Sequence, residues 1–231
     1  MREIVFDTET TGFKFSEGDR LVEIGCVELV NRVETGAVYH AYFNPGRSMP
    51  AEAQAVHGLS DAFLADKPAF HTAIDDLLAF LGDAPLIAHN ANFDMGFLNG
   101  ELKAAGRQPV AMTRMVDTLA IARSRHPGAK HTLDALCSRF GIDRSRRVLH
   151  GALLDAQLLS QVYVELMGGR QIGFGLDAAP ATTMAETAVA PVPAAAPVRP
   201  PRDFAPSEAE LVAHAAFIAT LKEPLWGQSA P

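Results

Sequence analysis

Three strand-like runs stand close together at the start of the chain, at about residues 3–7, 20–30 and 35–43, parted by Gly- or Asn-containing turns. Runs of this kind read as an antiparallel meander. From Pro50 the period changes: Phe70, Ile74, Leu77, Leu78 and Leu81 recur at helical spacing, a short strand follows at Leu86 to Ala88, and a helix begins near Asn92. Another strand-like stretch, Met112 to Val116, leads into a helix at about 117–125, and Thr132 takes the N-cap place of a helix running to Phe140. A meander followed by helix-strand-helix-strand units predicts an α/β fold, a mixed sheet flanked by helices.

The 231 residues are 48% hydrophobic, enough for a buried core. The chain starts directly with strand-like sequence and has no stretch near the roughly 18 apolar residues of a membrane span, so a soluble, cytoplasmic protein with no membrane partner is expected. Cys26 and Cys137 sit in apolar contexts without ligand spacing and read as core residues. A net charge of −7 argues against holding nucleic acid by bulk electrostatics, so any such contact is local or metal-mediated. One basic cluster exists, Arg139, Arg144, Arg146 and Arg147, and it reads as a solvated helix end or as a phosphate-facing surface.

Between Asp177 and Pro206 lie seven of the fifteen prolines, with alanine filling most of the rest, the composition of a linker. Beyond it, in SEAELVAHAAFIATLKEPLW, Ser207 and Glu210 form a capping box, and Leu211, Ala215, Ile218 and Leu221 or Lys222 follow at helical spacing. A single helix of about 16 residues is marginal alone in water. This one is tethered and ends near the only tryptophan, Trp226. A partner explains it better than self-sufficiency, the alternative being a tail that docks back on its own domain.

Three acidic sites stand out. In IVFDTETTG, Asp7 and Glu9 are two apart on a strand and leave one face. Two carboxylates about 4 Å apart repel by about 4 kcal/mol at an effective dielectric of about 20, so they call for a cation between them unless they are a wet strand end. In LIAHNANFDMGFL, Asn90 or Asn92 is the N-cap, and Asp94 falls in the first helical turn, where it also complements the macrodipole. In LHGALLDAQLL, His150 and Asp155 on one continuous helix would diverge by about 140°. They can share a site if Gly151 marks the junction between loop and helix.

Taken in order, FDTETTG, HNANFD and HGALLDA give Asp-x-Glu, Asn-x-x-x-Asp and His-x4-Asp. This resembles the DEDDh exonucleases, and within them the DnaQ-type family of proofreading epsilon subunits of bacterial DNA polymerase III, as do VHGLSD at Val56 to Asp61 and TLDALC at Thr132 to Cys137. The resemblance runs densely from residue 2 to about 170 and recurs in the tail. It implies a ribonuclease H-like domain over residues 1–170 with a five-stranded mixed sheet, a clamp-contact motif and flexible Pro/Ala-rich linker over 171–206, and a polymerase-binding tail helix over 207–231. It implies hydrolysis of the 3′-terminal phosphodiester of DNA. The cofactors implied are two divalent ions, Mg²⁺ or Mn²⁺, held by Asp7, Glu9, Asp94 and Asp155, with His150 as general base. Histidine rather than tyrosine in the last motif separates this class from its sister class.

Thr8, Thr11 and Gly12 match positions that meet the terminal nucleotide, and His57, His89, Asn90 and Phe93 are further substrate-facing candidates, with Phe93 also readable as a core aromatic. QIGFGL places Gln171, Phe174 and Leu176 for the sliding clamp, or is an ordinary loop. Leu211, Ile218 and Trp226 are the expected contacts to the polymerase alpha subunit. Rival readings are a related exoribonuclease and a non-catalytic scaffold between clamp and polymerase; the tail argues against the first and the full acid set against the second.

Overall fold

The computed structural model describes residues 1–145, 147, 149–169 and 205–222. Gln171, Phe174, Leu176, Trp226 and Arg146, all named above, lie outside the described residues. The chain falls into two units, Met1–Asp177 and Ala178–Pro231.

The first unit runs β1 (Arg2–Thr10), β2 (Leu21–Val30), β3 (Val33–Tyr42), α1 (Ala51–His57), α2 (Asp61–Leu64), α3 (Ile74–Leu81), β4 (Leu86–Ala88), α4 (Ala91–Ala104), β5 (Met115–Asp117), α5 (Thr118–Arg125), α6 (Leu133–Phe140) and α7 (Ala152–Leu166). The five strands form one sheet in the order β3-β2-β1-β4-β5. The meander pairs antiparallel, while β4 joins β1, and β5 joins β4, in parallel. The expected mixed sheet is therefore present, with β1 at its centre. Met112 to Arg114, expected to be strand, form a short 3-10 turn, and pairing begins only at Met115.

A central strand is covered on both faces, so its apolar run is continuous rather than alternating. In β1, Ile4 and Phe6 face a core shared with Leu77, Leu81, Met95 and Leu98, while Val5 faces Leu29, Ile87, Leu159 and Tyr163. α7 is the helix on that second face. It approaches β2 so closely at Gly25 that a Cβ there would lie 2.3 Å from the backbone N and Cα of Leu153. Glycine at this one position lets the N-terminus of α7 rest against the sheet beside Asp7, which pairs across the ladder with Gly25.

In the second unit, α8 (Glu208–Ile218) begins with the expected capping box: the Ser207 hydroxyl accepts from the Glu210 N–H, and the Glu210 carboxylate accepts from the Ser207 N–H at 2.8 Å. The helix is 11 residues long, shorter than the 16 expected. Its end tightens, with Thr220 and Leu221 N–H donating three residues back and the Thr220 hydroxyl donating to the Phe217 carbonyl. Leu211, Val212 and Phe217 are exposed, and Phe217 lies about 120° around the helix from Leu211, so the apolar surface is broader than one stripe.

Candidate active site

The site is built at the C-terminal end of β1. Alternation sends Asp7 and Glu9 to the α7 face, together with Val5, and sends Thr8 to the opposite face, with Phe6. The ladder with β2 shifts register between Glu9 and Thr10, an irregularity that ends regular pairing just past the acids. Across the ladder Glu9 faces Glu23, itself buried and hydrogen-bonded to His40 Nε2 at 2.7 Å.

From the other side comes α7. Gly151 is its extended N-cap, so His150 stands in the loop and Asp155 in the first turn, the arrangement the His-x4-Asp spacing required. The His150 N–H donates to the Val56 carbonyl at 3.2 Å, tying this loop to α1. His150 Nδ1 lies 3.3 Å from Asp155 Oδ2. Glu9, His150 and Asp155 each offer a ligand atom within 4.8 Å of the others.

Asp94 arrives on the first turn of α4. Asn90 precedes it in the left-handed region, at φ 65° and ψ 49°, with no side-chain cap. Asn90 is thus the N-cap residue, one of the two expected, but a remote side chain does the capping: Asp117 Oδ1, at the end of β5, accepts from the N–H groups of Asn90 at 3.0 Å, Ala91 at 3.4 Å and Leu119 at 2.9 Å. One carboxylate thus caps both α4 and α5. Asp94 is buried, and its Oδ1 accepts the Thr8 hydroxyl at 2.7 Å.

The electrostatics are those of crowded, buried acids with Arg147 as their nearest cation. Burial raises Asp7 well above the ordinary carboxylate range, with Asp94, Glu9 and Asp155 adding to the effect. Burial followed by Glu23 pushes Glu9 up to about 8. Burial carries Asp94 to about 7 despite the stabilising hydrogen bond from Thr8. Asp155 moves the other way: burial alone would raise it, and the Arg147 guanidinium, then the neighbouring His150, hold it below its usual range.

Two cavities meet at this strand end. One, of about 760 Å³, is lined by Asp7, His89, Asn90, Arg147, His150 and Asp155, among others. The second, of about 610 Å³, is lined by Thr8, Glu9, Thr11, Gly12, His57 and Phe93, with Glu52 as a further acid. The substrate candidates are thereby divided between two chambers, Asp7 lining one and Glu9 the other.

Within the second chamber their parts differ. The Thr11 hydroxyl donates to Asp19 at 3.2 Å and accepts from the Arg20 N–H at 3.0 Å, so it is spent on holding the turn. Gly12 leaves room for Asp19, whose carboxylate would lie 2.3 Å from a Cβ. His57 is buried, its Nδ1 accepts from the Leu59 N–H at 3.0 Å, and burial lowers its pKa. Its Nε2 is the one buried side-chain polar atom among the described residues without a close hydrogen-bond partner, and the Thr10 backbone nearby partly offsets the effect of burial. The Phe93 ring packs against Phe97 at a 50° tilt with centroids 5.0 Å apart, and it also lines the chamber. In the larger cavity, burial lowers the pKa of His89, and its Nδ1 lies 2.9 Å from the Thr118 hydroxyl.

The basic cluster separates likewise. Arg144 pairs with Asp134 at the surface, whereas the Arg147 side chain is only 9% exposed and grips Asp155 with both limbs of its guanidinium. Sequence reading left Arg147 among its neighbours, missed Glu23 and Asp117, and had no signal for Gly25.

A mixed sheet of this order, with four acids and a histidine gathered near one strand end, is matched by a class of nucleases, the exonucleases. The exonuclease family model (RNase_T: Exonuclease) matches residues 4–163. The chain is 55% identical over 177 residues to the DNA polymerase III subunit epsilon of Rickettsia conorii, covering 75% of this chain and 77% of that protein. It is 47% identical over 176 residues to the subunit of that name from Escherichia coli K12, covering 73% and 72%. Among solved structures it resembles exonuclease X in complex with 5′ overhanging duplex DNA, at 25% identity and a TM-score of 0.56, over 71% of this chain and 90% of that one. It also shares the fold of the nuclease domain of 3′hExo, a DEDDh family member, bound to rAMP, at 15% identity and a TM-score of 0.63, over 72% and 91%. The chain belongs to this exonuclease family and, within it, to the DNA polymerase III epsilon subunits. It is a 3′–5′ exonuclease, a hydrolase acting on DNA.

Proposed function

We propose that this chain proofreads for a replicative polymerase, removing the last nucleotide of a frayed DNA 3′ end with the aid of two divalent ions, Mg²⁺ or Mn²⁺. The observation that carries the reading is the convergence of Asp7 and Glu9 from one strand with Asp94, His150 and Asp155 from two helix starts. The donor set fits a hard cation: carboxylate oxygens dominate it, and burial, then the neighbouring acids, raises the pKa of Asp7 and Glu9. Asp7, Glu9, Asp94 and Asp155 would hold the ions. When bound, such ions polarise the phosphodiester, favour deprotonation of an attacking water and neutralise the leaving oxygen.

The chain's own groups do the rest. The smaller cavity receives the terminal nucleotide, with Phe93 against the base and His57 Nε2 supplying an N–H. Contacts of this type tolerate any base, so selection falls on the ease of unpairing, which is greatest at a mismatch. His150, at the mouth of the larger cavity and half-exposed, takes the proton from water and passes it to solvent. The tail carries the alpha-subunit contact through Leu211, Ile218 and Trp226, and Gln171, Phe174 and Leu176 carry the clamp contact, in a cytoplasmic replication assembly.

The test offers 3′-labelled mismatched primer–template DNA and an RNA oligomer to the full chain and to Asp7→Ala, with Mg²⁺ or Mn²⁺ and then with chelator. Expected are release of mononucleotides from DNA, loss of at least about 10³-fold in Asp7→Ala, and silence with chelator. Preference for RNA, activity surviving in Asp7→Ala, or indifference to chelator overturns the reading.

A further inference from the structure

Arg147 sits where the mechanism above has no use for it. Its Nε and Nη2 donate to the two oxygens of Asp155 at 2.5 and 2.7 Å, and its Nη1 donates to Asp134 Oδ1 at 3.0 Å. Nη2 also lies 2.9 Å from His150 Nδ1. A guanidinium can only donate, so the Nδ1 lone pair is the acceptor. One side chain thus covers both oxygens of a residue assigned to a metal and a lone pair of the residue assigned as base.

We propose that Arg147 is a tethered cation that holds the corner formed by Glu9, His150 and Asp155 in the metal-free protein and is displaced from Asp155 when a divalent ion binds. Loading the ion and freeing the His150 nitrogen then become one event. The inference rests on the metal-site reading above.

The physical case is competition for one carboxylate. A bidentate fork satisfies both oxygens in the plane where an ion would also have to approach. An arginine and a divalent ion on the same carboxylate repel, and the arginine is the partner that can move. Asp134 supplies the pivot: it lies outside the acid cluster, half-exposed, and keeps hold of Nη1 while the other limb swings away. In the metal-free state the same contact sets a positive charge against both oxygens of Asp155, in the corner that Glu9 and His150 share with it.

The experiment is a Mg²⁺ titration of the full chain labelled with ¹⁵N-arginine. It follows the Nε–H resonance of Arg147, assigned by its absence in R147K, with calorimetry on the same samples. Expected is a protected, hydrogen-bonded resonance without metal that moves toward the free-guanidinium position with the midpoint of Mg²⁺ binding. A resonance unmoved while calorimetry shows the site saturating overturns the inference and leaves the metal reading standing; no Mg²⁺ binding at all overturns both. Independently, R147Q should bind Mn²⁺ roughly tenfold more tightly, as a charge-assisted competitor is removed. R147K should shift in the same direction and serves if R147Q does not fold. Unchanged or weaker Mn²⁺ binding in the folded variant counts against the proposal.

Discussion

Thr8 and Glu9 are neighbours in sequence and serve different masters. Strand alternation turns the Thr8 hydroxyl toward Asp94 on α4, and turns Glu9 toward Glu23, His150 and Asp155 on the α7 side. Both carboxylates so reached are held protonated more readily than usual: Glu9 titrates at about 8 against an ordinary 4.5, and Asp94 at about 7 against 3.8. A carboxyl whose folded pKa lies above its unfolded value binds protons more tightly when folded, so it contributes stability at low pH and loses it as pH rises through the folded value. The metal-free protein should therefore lose thermal stability between about pH 5 and pH 8. Asp155, held below its ordinary 3.8, loses its own contribution only in more acid solution, outside this window. Mg²⁺ should restore the loss at the alkaline end and release protons on binding, which calorimetry in two buffers of different ionisation enthalpy measures. A metal-free Tm that is flat or rising across the window would refute the crowding of these acids.

At the scale of elements, the site depends on how closely α7 approaches β2. Gly25 is the enabling position, since a methyl group there has the Leu153 backbone, not a flexible side chain, to displace. Gly25→Ala should cost about 1–3 kcal/mol in denaturant unfolding. It should also lower kcat by more than that destabilisation explains, because Asp155 moves with the helix while Asp7 stays with the sheet. Full activity at wild-type stability would show that the close approach does not set the site. This contact also marks the limit of what could be read in advance. Ile4-Val5-Phe6 announces a central strand, Thr132 and Ser207 announce helix starts, and the Asp-x-Glu, Asn-x-x-x-Asp and His-x4-Asp motifs name the acids and the histidine, because each signal is local or periodic. Gly25 leaves no such trace: in a strand it reads as a weak point, and its reason lies about 130 residues away at Leu153. Asp117 is legible as the cap of its own helix but not of α4, and Arg147 is indistinguishable from its basic neighbours until Asp155 is placed beside it.

At the scale of the whole molecule, the two units carry different features. The acids, the histidine and both cavities belong to the first unit, within residues 7–155. The second unit contributes α8, with a well-made N-terminus and an apolar surface of Leu211, Val212 and Phe217 left exposed. An 11-residue helix has little stability of its own in water, and its capping box contributes only about 1 kcal/mol, which supports the partner contact proposed above for its exposed apolar surface. On the reading proposed above, the Pro/Ala-rich sequence before it would serve as a tether that keeps the exonuclease at high local concentration beside the polymerase alpha subunit. Deleting residues 207–231 should abolish co-purification with the polymerase alpha subunit while leaving kcat on a mismatched primer–template within about twofold of the full chain, since no residue of the site is removed. Leu211→Asp with Phe217→Asp should do the same without shortening the chain, separating loss of the apolar surface from loss of length. A fall in nuclease activity on deletion would show that the tail belongs to the catalytic unit, and retention of the polymerase by the doubly substituted chain would place the contact elsewhere.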